Sequence, residues 1–368
     1  MKKTLLITLE YPPMVGGVAN YYKNLVNNLP AESIEVLDNA DNKLLSTSRL
    51  MWPKWLRGLR HVKRIVEQEN IKHILVGQIL PIGTIALILK KLYAVPYTVM
   101  THAMDVTQPF TSGSPKRKQW LIRAILKNAH SVTTVSSFTR NKLQHLGVSP
   151  ARVYVVYPCP NIDGSKCHIP DKELNQLDEK YNIHDKRIIL SVGRLVQRKG
   201  MDTVIKAFAP LKDKLPNTHY VIAGDGEYKK QLEQLVRENK LTGRVHFVGN
   251  VSNEELARWY ARCEVFVMPS RQLHNNDVEG FGMVFVEANS FGKPVIGGKS
   301  GGVSDAVIDG KTGFLVDPED AGMLTEALDR ILSNESEAIR LGYNGSERVK
   351  ETFQWEIQAR QLQELLNL

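Results

Sequence analysis

Short apolar runs alternate with stretches of helical period along the whole chain. In the first half, apolar runs at residues 3–9, 34–37, 71–76, 97–101, 131–135 and 153–156 predict strands. Between them, residues 18–29, 54–69, 82–92, 115–127 and 137–146 repeat apolar positions every three to four residues and predict helices. The pattern breaks over 157–170, where Pro158, Pro160, Gly164 and Pro170 interrupt any apolar period and mark a linker. It then restarts, with predicted strands at 188–192, 220–223, 245–248, 265–268, 294–297 and 314–316 and two or three helices closing the chain. Strands alternating with helices imply parallel sheets with helices on both faces. The expected fold class is therefore α/β, with two doubly wound domains at 1–160 and 161–350. A final helix at 351–368 is expected to cross back to the first domain. Open α/β sheets bind ligands at the carboxyl ends of their strands, so two facing sheets would place the site in the cleft between them.

A length of 368 residues and an apolar fraction of 42% suit two such domains, each with its own core. The most apolar run, 79–89, falls short of the ~18 residues of a membrane-spanning helix and is closed by Lys90 and Lys91. Lys2 and Lys3 begin the chain as a signal peptide would, but Glu10, Pro12 and Pro13 follow after only a strand's length of apolar residues. The three cysteines, Cys159, Cys167 and Cys263, are odd in number and form no Cys-x-x-Cys, which argues against a disulfide framework or zinc ribbon and fits a reducing, cytoplasmic setting.

Charge changes the picture. Residues 1–49 balance five basic against five acidic side chains, whereas residues 50–130 hold thirteen Lys and Arg against Glu67, Glu69 and Asp105. The second stretch carries ten net positive charges, more than the +9 of the whole chain. A one-sided basic region implies an anionic partner: a membrane surface, a nucleic acid or a phosphorylated substrate. Within it, residues 49–64 combine Trp52, Trp55, Leu56 and Leu59 with Lys54, Arg57, Arg60, Lys63 and Arg64. Such a helix lies in a membrane interface, or it packs its apolar side on the first domain and leaves its charges in water. Both readings stay open from the sequence.

Three strand–helix turns contain glycines that suit a phosphate as well as a simple turn. Gly16 and Gly17 precede the first helix, whose amides point at that place. In GRLVQRKG at 193–200, Arg194 and Lys199 bracket a turn, and two fixed cations beside a helix start suit a diphosphate. AGDGEYKKQL at 223–232 repeats the arrangement. None is a Walker loop or a strict dinucleotide fingerprint. More informative is VEGFGMVFVEA at 278–288, where Glu279 and Glu287 flank seven residues beginning with a glycine loop. A carboxylate accepting two hydroxyls grips a vicinal diol, so the two acids suit a nucleotide-sugar held at both ends.

At this point the chain resembles the retaining glycosyltransferases of family 4. The residues that carry the likeness are YPPMVGGV at 11–18, THAMD at 101–105, SVGRLVQRKG at 191–200, VIAGDGEY at 221–228, VHFVGNVSNEEL at 245–256, VEGFGMVFVEA at 278–288 and GKSGGVSDAVIDGKTGFLVDP at 298–318. The wording NDVEGFGMVFVEA after MPSR is most similar to the phosphatidylinositol mannoside mannosyltransferase branch, while YPCPNIDGSKCHIP after the first domain departs from the usual linker.

The resemblance implies a GT-B fold of two Rossmann-like domains facing across a cleft, with the donor on the second. It implies that Arg194 and Lys199 contact the donor phosphates, that Glu279 lies near the sugar and that Glu287 clamps the ribose. Phe281, Gly282 and Met283 are then expected to hold sugar and phosphate through their amides. Val248, Gly249 and Asn250 are expected beside the base, His102 against the sugar, and Gly16 and Gly17 over the phosphates. The implied reaction moves a hexose, mannose from GDP-mannose, to a glycan, phospholipid or polyprenyl-linked hydroxyl with retention, using no metal. The enzyme would be cytoplasmic or peripheral on the inner membrane face. Alternatives are a UDP-sugar (glucose or N-acetylglucosamine) transferase, a non-hydrolysing UDP-sugar epimerase and a basic nucleic-acid binder. No helix-turn-helix, RNP or zinc-finger wording supports the last, so no specific nucleic acid is expected.

Overall fold

The computed structural model describes residues 3–14, 16–47 and 53–367. The chain divides into two compact units, Met1–Pro158 with Trp355–Leu368, and Cys159–Gln354. The strands of the first are β1 (Thr4–Ile7), β2 (Ile34–Leu37), β3 (His73–Val76), β4 (Tyr97–Thr101), β5 (Ser131–Thr134) and β6 (Val153–Val155). Those of the second are β7 (Arg187–Val192), β8 (Thr218–Ala223), β9 (Val245–Gly249), β10 (Val265–Met268), β11 (Val295–Gly298) and β12 (Gly313–Val316). Every apolar run that predicts a strand coincides with one of these twelve.

The first sheet has the order β2-β1-β3-β4-β5-β6 and is parallel throughout. Its four inner strands, β1, β3, β4 and β5, are buried along their whole length, as expected where helices cover both faces. Ile7, Ile74 and Val99 meet Ile85 and Ile125 of the flanking helices in one core. The second sheet, β12-β11-β10-β7-β8-β9, is also parallel, with the doubly wound dinucleotide-binding order when read from β9. Strand order reverses beside β7, and the carboxyl end of a strand at such a switch point is where this fold opens a crevice.

The return to the first unit begins later than residue 351. Residues 351 and 352 finish the helix Glu335–Thr352, and the next helix, Trp355–Leu366, packs on the first unit. There Trp355 meets the Tyr21 ring edge-on at 5.9 Å, and the Gln358 side-chain Oε1 accepts the Tyr157 N–H at 2.7 Å.

The helix Leu56–Gln68 corrects the membrane reading of its apolar side. Val62 is fully buried, and Trp55, Leu59, Ile65 and Val66 pack against the unit's own core. At Gly58 an added Cβ would lie 2.4 Å from the Leu44 carbonyl oxygen, so the helix sits hard against the chain beneath it. Lys54, Arg57, Arg60 and Arg64 remain exposed, whereas Lys63 is drawn to Glu67 at 3.6 Å and over the Tyr93 ring. Trp52 lies outside the described residues. Exposed aromatics stand instead at Tyr93 and at Trp120, the latter 69% exposed on the helix Lys116–Asn128 among Lys116, Arg117, Lys118 and Arg123. The helices Leu56–Gln68, Gly83–Tyr93 and Lys116–Asn128 pack side by side, so these groups share one face of the first unit. Among the described residues, no helix is long and apolar enough to cross a membrane.

Candidate active site

The turn after β7 holds the strongest concentration of charge. Lys199 Nζ lies 2.6 Å from Glu279 Oε2, and Arg198 Nη1 lies 2.7 Å from the same oxygen. Arg198 Nε is also 3.1 Å from Asp277 Oδ1. Beyond them Arg271 is buried on Asp202 and Thr203, and its N–H donates to the Arg198 carbonyl at 2.9 Å. Burial alone would push the Glu279 carboxyl up, but Lys199 and Arg198 together hold it at about 2. The acid is therefore an anion at any ordinary pH. Sequence reasoning paired Arg194 with Lys199 and passed over Arg198, although Arg198 stands beside Lys199 in the chain.

Arg194 has a different place. It is exposed and lines a cavity of about 420 Å³ with Val192, Gly193, Ala223, Asp225 and Asn250. Lys199 reaches the same spot, for a Cβ built on Gly193 would lie 3.8 Å from its Nζ. Cavity, Arg194, Lys199 and Glu279 thus adjoin at the carboxyl end of β7. Gly224 makes this possible: with φ of 135° and only 2.1 Å between a notional Cβ and the Gly193 carbonyl oxygen, no side chain fits where the two turns meet. A larger cavity of about 700 Å³ lies near the amino ends of β7 and β11, around Arg187, Glu264 and Lys293, away from these groups.

The other residues expected at the donor divide between the cavity and its surroundings. Asn250 lines the cavity, while Val248 is the extra residue where the β8–β9 register shifts and Gly249 receives the Gly224 N–H at 2.7 Å. Gly282 adopts φ of 93° and starts the helix Met283–Ser290, with Phe285 where a side chain would go. Phe281 is buried against Phe353. Gly16 and Gly17 open the helix Gly17–Asn27 of the first unit, and the space beside Gly16 is open.

Glu287, expected to clamp a ribose, is held by groups of its own unit. It is 5% exposed and does not line the cavity. Its Oε2 accepts the Tyr260 hydroxyl at 2.8 Å and its Oε1 the Asn161 N–H at 3.2 Å, and burial raises its carboxyl above the usual range. It braces the start of the second unit against the helix Met283–Ser290. These two bonds take about two of the carboxylate's roughly four lone-pair sites.

In the first unit, His102 caps the short helix Ala103–Thr107, and its own N–H donates to Asp105 Oδ1 at 2.9 Å. The Tyr22 hydroxyl donates to the Gly77 carbonyl, so its oxygen is the acceptor for His102 Nε2 at 2.8 Å. His102 Nδ1 accepts the Asp105 N–H. Both nitrogens are occupied in the neutral Nε2–H tautomer, and burial lowers the ring's pKa to about 4. Asp105 is pushed up to about 8, chiefly by burial, and its Oδ2 has no hydrogen-bond partner. This arrangement suits a fixed neutral contact. Among the described residues, no group of three or more His, Cys, Asp or Glu side chains is placed to hold a metal ion.

Comparison with known proteins identifies the family. Residues 15–163 match Glycosyltransferase Family 4, and residues 175–348 match Glycosyl transferases group 1. The GDP-mannose-dependent alpha-(1-6)-phosphatidylinositol monomannoside mannosyltransferase of Mycolicibacterium smegmatis is 28% identical, over 99% of this chain and 98% of its own. Sucrose-phosphate synthase from Thermosynechococcus elongatus superposes with a TM-score of 0.80 at 26% identity, covering 100% of this chain and 98% of that one. HepE from Anabaena, solved with UDP, has the same fold, with a TM-score of 0.81 at 18% identity and 99% of each chain covered. A double parallel-sheet fold with a cationic turn at the switch point of the second sheet is, with these matches, that of a GT-B glycosyltransferase. The chain belongs to glycosyltransferase family 4 and is a hexosyltransferase.

Proposed function

We propose that the protein transfers mannose from GDP-mannose, with retention, to a hydroxyl of a lipid-linked acceptor. The observation that carries the reading is the junction of Arg194, Lys199 and Glu279 beside the cavity at the end of β7. Such a junction suits a nucleoside diphosphate and its sugar together: the cavity takes the nucleoside, the cations the diphosphate, and Glu279 a sugar hydroxyl. As the bond from the anomeric carbon to the diphosphate breaks, negative charge grows on the leaving oxygen, where Arg194 and Lys199 stabilise it. The acceptor oxygen bonds to the same face of that carbon, and its proton passes to the departing diphosphate. Two cations in this role make a divalent metal unnecessary. The mannose and lipid parts of the proposal rest on the full-length likeness to the mycobacterial enzyme.

Thermal unfolding with GDP, UDP, ADP and their sugars tests the donor. A nucleotide at 100 times its Kd adds about 2.7 kcal/mol to the stability of the state it binds. GDP and GDP-mannose should raise Tm and the others should not. A shift with UDP alone would transfer the proposal to UDP-glucose or UDP-N-acetylglucosamine, and no shift with any nucleotide would end it. Incubating donor without acceptor separates an epimerase, which would produce an epimer.

The basic face of the first unit suits an anionic membrane that carries the acceptor. Its contact is electrostatic at Arg57, Arg60 and Arg64, with Trp120 as an exposed aromatic. Each cation near an anionic surface contributes about 1 kcal/mol, so replacing the three by Gln should weaken binding to phosphatidylglycerol vesicles about 100-fold at low salt. Equal co-sedimentation of parent and variant would remove the membrane from the proposal.

A further inference from the structure

Glu279 is held through one oxygen only. Both Arg198 Nη1 and Lys199 Nζ reach Oε2, and among the described residues no hydrogen bond is made to Oε1. The two cations are not equivalent. Lys199 is a flexible ammonium at the rim of the cavity, beside Gly193. Arg198 is 7% exposed, fixed between Glu279 and Asp277, with its carbonyl tied to Arg271. In the transfer reading, on which this inference rests, Lys199 must turn part of its charge to the diphosphate. A carboxylate left buried without a counter-charge is strongly disfavoured.

We propose that Arg198 is the positioning residue of the reaction: it keeps Glu279 anchored by Oε2, with Oε1 open to a hydroxyl of the donor sugar, while Lys199 engages the diphosphate. A guanidinium suits this task because it stays charged in a buried place and its planar fork spans two carboxylates. Asp277 faces the guanidinium from the other side as an ion-pair partner, and the Arg271–Asp202 pair behind it is neutral as a unit. The charged groups that face Glu279 are thus Arg198 and Lys199 from the turn after β7 and Asp277 from its own segment. From the segment after β11, the Gly302 N–H donates to its backbone carbonyl at 2.9 Å.

The test uses the full chain, with Arg198→Met, Arg198→Lys and the charge-balanced double variant Arg198→Met/Asp277→Asn, which guards against misfolding. One readout needs no donor: the carboxyl ¹³C titration of Glu279, assigned through Glu279→Gln. In the parent its midpoint should lie below pH 3. It should rise by at least one pH unit in both Met variants and by less in Arg198→Lys. The second readout is release of mannose from GDP-mannose, beside the affinity for GDP. The Met variants should keep GDP affinity within about twofold, raise KM for GDP-mannose at least tenfold and shift the acid limb of kcat/KM upward, with Arg198→Lys restoring most of the loss. An unmoved Glu279 midpoint, or equal losses of GDP and GDP-mannose binding, would overturn the inference. Failure of the parent itself to bind GDP would instead count against the donor reading, and the carboxyl titration would still decide the role of Arg198.

Discussion

After β4, His102 and Asp105 are half-buried and uncharged at neutral pH; at the turn after β7, Glu279, brought there by the segment after β10, is also half-buried but fully ionised. Both turns stand at carboxyl ends of parallel strands, and both close on a side chain taken from water. The difference lies in what burial is set against. Around His102 the partners are neutral: the Tyr22 hydroxyl, a peptide N–H and an acid that burial keeps protonated. Around Glu279 they are two cations on one oxygen. Burial without counter-charge neutralises a group, and burial with it fixes the charge. The first turn therefore presents a rigid polar surface with no net charge, and the second holds charge ready for a diphosphate.

The largest test of this contrast removes a cation from the charged turn. Lys199→Ala leaves Arg198 on Glu279, so the unit should fold while transfer falls by about 10²–10³, as when one electrostatic donor is lost from a reacting centre. Circular dichroism and GDP-mannose turnover, measured on the same preparation, check both halves. Turnover within a few fold of the parent would place the working charge elsewhere.

The contrast was only half legible in the sequence, and the reasons are physical. Strands buried on both faces read as unbroken apolar runs, so the YVIA of β8 at 220–223 is visible directly, while its polar start at Thr218 and His219 is not. The charged turn was visible as residue types at a strand–helix junction, but a turn has no period from which to tell which of Arg194, Arg198 and Lys199 points inward. The tautomer of His102 depends on Tyr22, eighty residues away in sequence, and on the Gly77 carbonyl. Trp55 shows the same limit in another form. An amphipathic helix announces an apolar side, yet only the packing of Leu59, Val62 and Val66 on the first core shows what covers it. Trp120, a single aromatic after three cations, has too short a pattern to announce an exposed face.

A smaller effect sharpens the neutral turn through pH. Asp105 has an ordinary value of 3.8 and a folded value of about 8. Between these the folded chain keeps a proton that the unfolded chain has lost, so this group makes stability fall as pH rises. His102 acts oppositely: its folded value is about 4 against 6.5, so between these the unfolded chain holds the extra proton and stability rises with pH. Each slope is at most about 1.4 kcal/mol per pH unit. The two oppose one another below pH 6.5, and from 6.5 to 8 Asp105 acts alone, costing the parent about 1–2 kcal/mol. Glu279 adds nothing in this window, because with a folded value of about 2 against 4.5 it is charged in both states. Asp105→Asn keeps the acceptor for the His102 N–H but cannot ionise. Its urea midpoint should stay level from pH 6.5 to 8 and drop more steeply than the parent's toward pH 5, where His102 is left unopposed. A parent midpoint that is flat above pH 6.5, or a variant that still falls there, would mean that Asp105 is charged in the folded protein and that the two turns are electrically alike.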